Sequence, residues 1–277
     1  MKRKAIIFSA LIIVLGFSVQ SVAQFTPEEL AERGKWEKFL ESAAVTDSEQ
    51  PWRDEEARTN PWRLTLEQNG VKHRAIWKDA QGRMRGFIEN WKWEIAAYRL
   101  DKYLGLNMIP PTVEREFQGK RGSCQFYVEN TPTLLVVQNE KRKKPSYKIY
   151  PFNLALYKQR AFDNLLANKD RHLNQFLITD DWRIILIDHS RSFETTKKST
   201  KKLIYDEKYH EGPRLMSQLP RTLVEKLREM NHEVIREVVG EYLTDNEIEA
   251  VLARRDLIIQ WIEKRIKEVG EDKVLYD

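Results

Sequence analysis

Cysteine is nearly absent: Cys124 is the only one in 277 residues. That excludes an intramolecular disulfide framework and any multi-cysteine metal site. Set between Ser123 and Gln125-Phe126-Tyr127-Val128, Cys124 itself reads as a buried strand residue. Long hydrophobic runs are also scarce. The one stretch of note, Ala5 to Phe17, is too short for a membrane span. It follows Met1-Lys2-Arg3-Lys4 and precedes Ser21-Val22-Ala23, the layout of a cleavable secretory signal over residues 1–23. The expectation is an exported protein, periplasmic or secreted after cleavage near Ala23, with a mature form that does not span a membrane. A strong excess of one charge is lacking too. The formal charge of +5 falls by three to +2 once Lys2, Arg3 and Lys4 leave with the signal, so no nucleic-acid partner is expected.

What remains, residues 24–277, is enough for one large domain or two lobes sharing a cleft. Residues 24–58 read as an N-terminal extension of helix and loop, with Thr26-Pro27-Glu28-Glu29 as a helix start. From Trp62 the pattern changes to a β-hairpin, Trp62 to Leu66 and Val71 to Lys78 around Gln68-Asn69-Gly70. A helix is expected over Glu89 to Leu104, stopped at Gly105. Strands follow at Thr112 to Phe117 and Ser123 to Val128. These make a small α+β lobe over 59–138. The basic stretch Asn139 to Lys148 connects it to a larger, mainly helical lobe over 139–277. That lobe includes a helix from Tyr150 to Leu166 and a last helix opened by the capping box Thr244-Asp245-Asn246-Glu247.

The chemistry concentrates between those helices. Gln175 to Ile178 and Trp182 to Ile187 read as a second hairpin turning at Asp181, so residues whose numbers sum to 362 are opposed. Asn174 then faces Asp188. A carboxylate and an amide oxygen held together at a hairpin mouth suit a hard divalent cation that keeps positions open for phosphate. Asp170, just upstream, can take a proton from an attacking hydroxyl or position it.

Asp170-Arg171-His172-Leu173-Asn174, an intervening hairpin and Asp188-His189 together resemble the phosphatidylinositol 3/4-kinase and HipA-type branch of the kinase superfamily. The secreted Fam20-type kinases are similar. The resemblance covers roughly residues 60–265. It implies a bilobal protein-kinase-like fold of the α+β class and a catalytic set of Asp170, Arg171 and His172. It also implies metal ligands Asn174 and Asp188 for Mg²⁺ or Mn²⁺, and an ATP site at Lys78, in Ala75-Ile76-Trp77-Lys78, with Glu94 holding the lysine. Gln125, Tyr127 and Val128 would be the connecting strand facing adenine. Two features depart from the family pattern. No glycine-rich phosphate loop precedes Lys78, and Ser190 stands where glycine often follows the metal aspartate.

The function expected is therefore an exported, ATP- and metal-dependent phosphotransferase acting on a protein, sugar or lipid hydroxyl. The alternative is a pseudokinase-type binding module of the cell envelope. His172 and His189 read as structural or transition-state-contacting residues rather than metal ligands. Asp163 reads either as an orienting residue for the catalytic loop or as part of a solvated helix face. Lys197 to Lys202 reads as a solvated loop at the place of an activation segment. Trp52, Trp62, Trp77, Trp91 and Trp93 read as packing for the small lobe.

Overall fold

A computed structural model describes residues 24–51, 60–84, 87–205 and 216–277. The expected secretory signal, and Trp52, lie outside the described residues. Among the described residues no helix is long and apolar enough to cross a membrane.

The chain begins with α1 (Pro27–Ala31) and α2 (Arg33–Ser42). The Thr26–Glu29 capping box and Pro27 at the first helical position explain the start of α1. A five-stranded antiparallel sheet follows, in the order β1-β2-β3-β7-β6. Its strands are β1 (Ala44–Glu49), β2 (Trp62–Gln68), β3 (Val71–Lys78), β6 (Thr112–Phe117) and β7 (Lys120–Phe126). Between β3 and β6 the chain forms a small hairpin, β4 (Gln81–Met84) with β5 (Phe87–Asn90), and then α3 (Trp91–Leu104). Asn90 accepts a bond from the Lys92 N–H at the head of α3, and Gly105, at φ 70°, ends it in the left-handed conformation that glycine adopts most readily.

The segment expected to be an appended extension is built into the small lobe. β1 pairs with β2 along the sheet edge, while Phe39, Leu40 and Ala43 join Leu64, Leu66, Ala75, Trp77, Val113 and Cys124 in one buried core. β1 escapes pattern reading because Ala44-Val45-Thr46-Asp47-Ser48-Glu49 is an edge strand with no buried residue, so its sequence carries no alternation of apolar and polar side chains. Gly122 in β7 is required by close packing. A Cβ there would stand 2.6 Å from the Trp77 ring and overlap the Lys78 carbonyl. β7 starts at Lys120, three residues earlier than its hydrophobic pattern suggests, because Lys120 and Arg121 are exposed ladder residues.

The larger lobe contains α4 (Leu134–Asn139), α5 (Ser146–Leu166), the hairpin of β8 (Phe176–Ile178) and β9 (Ile184–Leu186), and α6 to α8. These last helices are α6 (Arg221–Glu229), α7 (His232–Val239) and α8 (Asp245–Val269). The expected capping box opens α8, with Thr244 accepting from the Glu247 N–H. α3 packs into this lobe's core. Trp93 Nε1 donates to Glu247 Oε1 at 2.7 Å, and Ile95, Leu100 and Leu104 are buried with Leu165, Leu223 and Ile235. Trp77 is in the small-lobe core and Trp62 packs against it, as expected, whereas Trp91 and Trp93 are buried with α3 in the large-lobe core.

Candidate active site

The β8–β9 hairpin sets the site. Its ladder pairs Phe176 with Leu186, Leu177 with Ile185 and Ile178 with Ile184, the register expected for a turn centred on Asp181. The Ile187 N–H continues it by donating to the Gln175 carbonyl at 3.2 Å. Phe176, Ile178, Ile184 and Leu186 anchor this small hairpin in the large-lobe core.

Asp188 lies immediately beyond the ladder with φ 62°, a left-handed conformation that an aspartate tolerates and most side chains do not. Its Oδ1 lies 2.9 Å from Lys78 Nζ, and Lys78 Nζ lies 2.7 Å from Glu94 Oε1. Lys78 enters from β3 and Glu94 from the first turn of α3, so three elements converge on one ammonium group. Burial alone would lower the Lys78 pKa, but the two carboxylates outweigh it and raise the pKa above its ordinary value. Burial likewise opposes ionisation of Asp188 and Glu94; Lys78 overrides it and holds both below the usual carboxylate range. Glu94 Oε2 also accepts the His189 N–H at 2.9 Å, which fixes the backbone just after Asp188.

Asp170 reaches the same space from the other side. Its carboxylate lies 3.0 Å from Arg191 Nη1, and Gln175 Nε2 donates to Asp170 Oδ2 at 3.4 Å and to Asp188 Oδ2 at 3.3 Å. Gln175 is buried, and its Oε1 has no hydrogen-bond partner. Asn174 was expected in this place, opposite Asp188. Asn174 is instead exposed, and its Oδ1 accepts from Thr133 Oγ1 at 3.2 Å. The reason is local. Leu173–Gln175 form a 3₁₀ turn, which rotates successive side chains by a third of a turn and ends the extended pairing one residue before Asn174 would have joined it. The carboxamide hydrogen-bonded to Asp188 is therefore that of Gln175.

Arg171 was expected at the reacting centre; its guanidinium is buried behind it. Nε and Nη2 bind the two oxygens of Asp163 at 2.9 and 3.0 Å, Nη1 donates to the Gln175 and Ile187 carbonyls, and Nη2 donates to His189 Nε2 at 2.8 Å. Arg171 is a positioning residue that ties both ends of the hairpin to α5. An arginine can only donate, so His189 Nε2 is an acceptor and its proton resides on Nδ1, 3.8 Å from Glu94 Oε2. Burial, then the neighbouring Arg171, pushes the His189 pKa down, and the ring is neutral. Asp163 is fully buried, and Asn168 Nδ2 donates to it at 3.2 Å, so of its two readings the orienting one describes the structure. His172 is exposed, with Nδ1 accepting from the Asn174 N–H at 3.3 Å.

Ser190, at the expected glycine position, uses its hydroxyl. Oγ lies 2.6 Å from Glu89 Oε2 and 3.1 Å from Asp188 Oδ1. Glu89 also pairs with Arg191. Neither Glu89 nor Arg191 carries a sequence signal of its own; they meet only because the β4–β5 hairpin docks on this loop through the Asn90 N–H and the Ser190 carbonyl, 2.9 Å apart.

The small-lobe roof alternates. Lys78 opposes Ser123 and Ile76 opposes Gln125, while the Arg74 guanidinium lies over the Tyr127 ring at 4.5 Å, so Gln125 and Tyr127 share the Lys78 face. Val128 does not. It lines a cavity with Phe126 and Trp36 beneath α1 and α2, because consecutive residues of an extended strand point to opposite faces. The Lys197–Lys202 stretch is a largely exposed turn, as expected of a solvated loop.

No protein-family model matches the chain, and no curated protein matches it by sequence. Solved structures do match. The structure of hydra Fam20 with sugar aligns at TM-score 0.64 with 16% identity, covering 92% of this chain and 95% of that one. A Golgi casein kinase with Mn/ADP bound aligns at TM-score 0.62 with 14% identity, covering 92% of this chain and 80% of that one. At such identities the likeness speaks for the fold: the chain has the kinase-like, bilobal α+β architecture of these structures.

Proposed function

We propose that the chain is an ATP- and divalent-metal-dependent phosphotransferase of the secreted Fam20-like kind, exported and acting on a hydroxyl acceptor. The observation that carries this is the junction of Lys78, Glu94 and Asp188, with Gln175 bridging Asp188 to Asp170. It sets a phosphate-binding cation, an ionised carboxylate and a second carboxylate side by side at the meeting of the two lobes.

The residues fit a hard cation. Asp188 offers carboxylate oxygens, and turning the Gln175 carboxamide end for end would bring its unpartnered Oε1 to Asp188 in place of Nε2. Among the described residues no group of three or more His, Cys, Asp or Glu side chains is arranged to hold a metal. That suits Mg²⁺ or Mn²⁺ taking its remaining oxygens from water and nucleotide phosphate. When bound, the cation neutralises charge on the transferred phosphoryl group. Lys78, held by Glu94, binds and orients the phosphates. Asp170, held by Arg191 and Gln175, orients the acceptor hydroxyl and receives its proton. Gln125 and Tyr127 line the roof over the base. The Mn/ADP described for the similar Golgi casein kinase supports the nucleotide and the metal; the sugar described with hydra Fam20 supports a hydroxyl acceptor.

The test is transfer of labelled phosphate from ATP, with Mg²⁺ and with Mn²⁺, to envelope extract. Asp170→Asn and Asp188→Asn should each abolish labelling. Labelling that survives both substitutions sinks the mechanism, and nucleotide binding without transfer under any condition returns the binding-module reading.

A further inference from the structure

A cavity of about 730 Å³ lies behind the strand that connects the lobes, on the face away from Lys78. Its size is that of a ligand site. The walls are apolar, from Phe25, Trp36, Pro111, Phe126, Val128 and Ile185, contributed by the N-terminal segment, the connecting strand and the β8–β9 hairpin. Its opening is acidic. Around the opening stand Glu28, Glu29, Glu32, Glu129, Asp180 and Asp181. Arg183 pairs with Glu29 and Asp181, Lys35 with Glu32 and Arg74 with Glu129, while no cation pairs with Glu28 or Asp180 among the ion pairs of the described residues.

We propose that this cavity binds an extended basic peptide segment carrying one large apolar side chain. The apolar side chain fills the pocket, and flanking Lys or Arg residues meet the carboxylate rim. The apolar walls and the carboxylate rim call for an apolar and a cationic group at short spacing, which a peptide supplies at once. Burying an apolar group here while leaving anionic ligands outside follows from charge complementarity at the rim. The proposal does not depend on the phosphotransferase reading, because none of the residues invoked belongs to the Lys78–Asp188 junction.

The test is fluorescence anisotropy of fluorescein-labelled hexapeptides, KKWLKK and its charge-reversed form EEWLEE, with the full chain. KKWLKK should bind saturably and EEWLEE at least tenfold more weakly. Val128→Trp, which fills the pocket, and the exposed pair Glu28→Lys with Asp180→Lys should each weaken KKWLKK at least tenfold. Asp170→Asn should leave it unchanged. If Val128→Trp fails to fold, as judged by circular dichroism, the exposed pair alone decides. Absence of saturable binding, equal binding of the two peptides, or indifference to the rim substitutions overturns the proposal. Loss of binding in Asp170→Asn alone would place the peptide in the catalytic cleft and overturn it equally. Binding of dodecyltrimethylammonium with the same variant dependence, and none of KKWLKK, would replace the peptide by a cationic amphiphile.

Discussion

At the residue scale the site turns on which carboxamide meets Asp188. Because Gln175 is buried between two carboxylates and Asn174 faces solvent, Gln175→Ala should lower the phosphoryl-transfer rate at least tenfold, the loss of about 1.4 kcal/mol of transition-state stabilisation. Asn174→Ala should change it less than threefold; single-turnover kinetics on the two variants checks both. The resemblance to known kinases singled out Lys78, Glu94, Asp170 and Asp188, and the structure brings them into one network. Gln175 was not singled out, because one residue of 3₁₀ turn shifts which side chain points inward. His189 adds a pH signature. Its folded pKa is depressed by burial and then by Arg171, so below about pH 6.5 the unfolded chain takes up a proton that the folded chain refuses. Stability is then lost as pH falls from 7 to 5, by at most about 1.4 kcal/mol per pH unit from this group. Urea unfolding at the two pH values should show a shallower loss in His189→Asn than in the wild type.

At the element scale the informative segment is the one that precedes β2. Pattern reading sets residues 24–58 apart from the small lobe, yet Phe39 on α2 is buried against Leu64, Ala75 and Cys124. Phe39→Ala should therefore destabilise the protein by about 3–5 kcal/mol, as a buried aromatic does, whereas a side chain on a merely appended helix would cost less than about 0.5 kcal/mol. Chemical denaturation separates the two. α8 was legible because its cap is a local hydrogen bond between neighbours in sequence, Thr244 to Glu247, and α3 was legible at its Gly105 stop; the start of α3, expected at Glu89, falls at Trp91 because Glu89 and Asn90 belong to β5. β1 was not, because an edge strand acquires its identity from its partner. Its six residues bond to β2 across an intervening stretch of chain, and no periodicity within them announces that.

At the scale of the whole molecule, the lobes are joined where the chemistry is. Lys78 of the sheet, Glu94 of α3 and Asp188 of the hairpin share one network, so a ligand drawing on all three should stabilise both lobes together. At one hundred times its dissociation constant, ATP with Mg²⁺ or Mn²⁺ should add about 2.7 kcal/mol to unfolding. Thermal unfolding should shift upward as a single transition in the wild type and hardly at all in Asp188→Asn. The sequence by itself determined the hairpin register around Asp181, the capping box of α8, the glycine stop of α3 and the lack of any intramolecular disulfide. Each of these depends on neighbours a few residues apart or on residue type alone. Only the tertiary structure decided that Arg171 lies behind the site, that Glu89 and Arg191 reach it, that Val128 turns away from the cleft and that α2 and β1 complete the sheet. Those outcomes rest on contacts between segments distant along the chain, and no local propensity encodes which segments will meet.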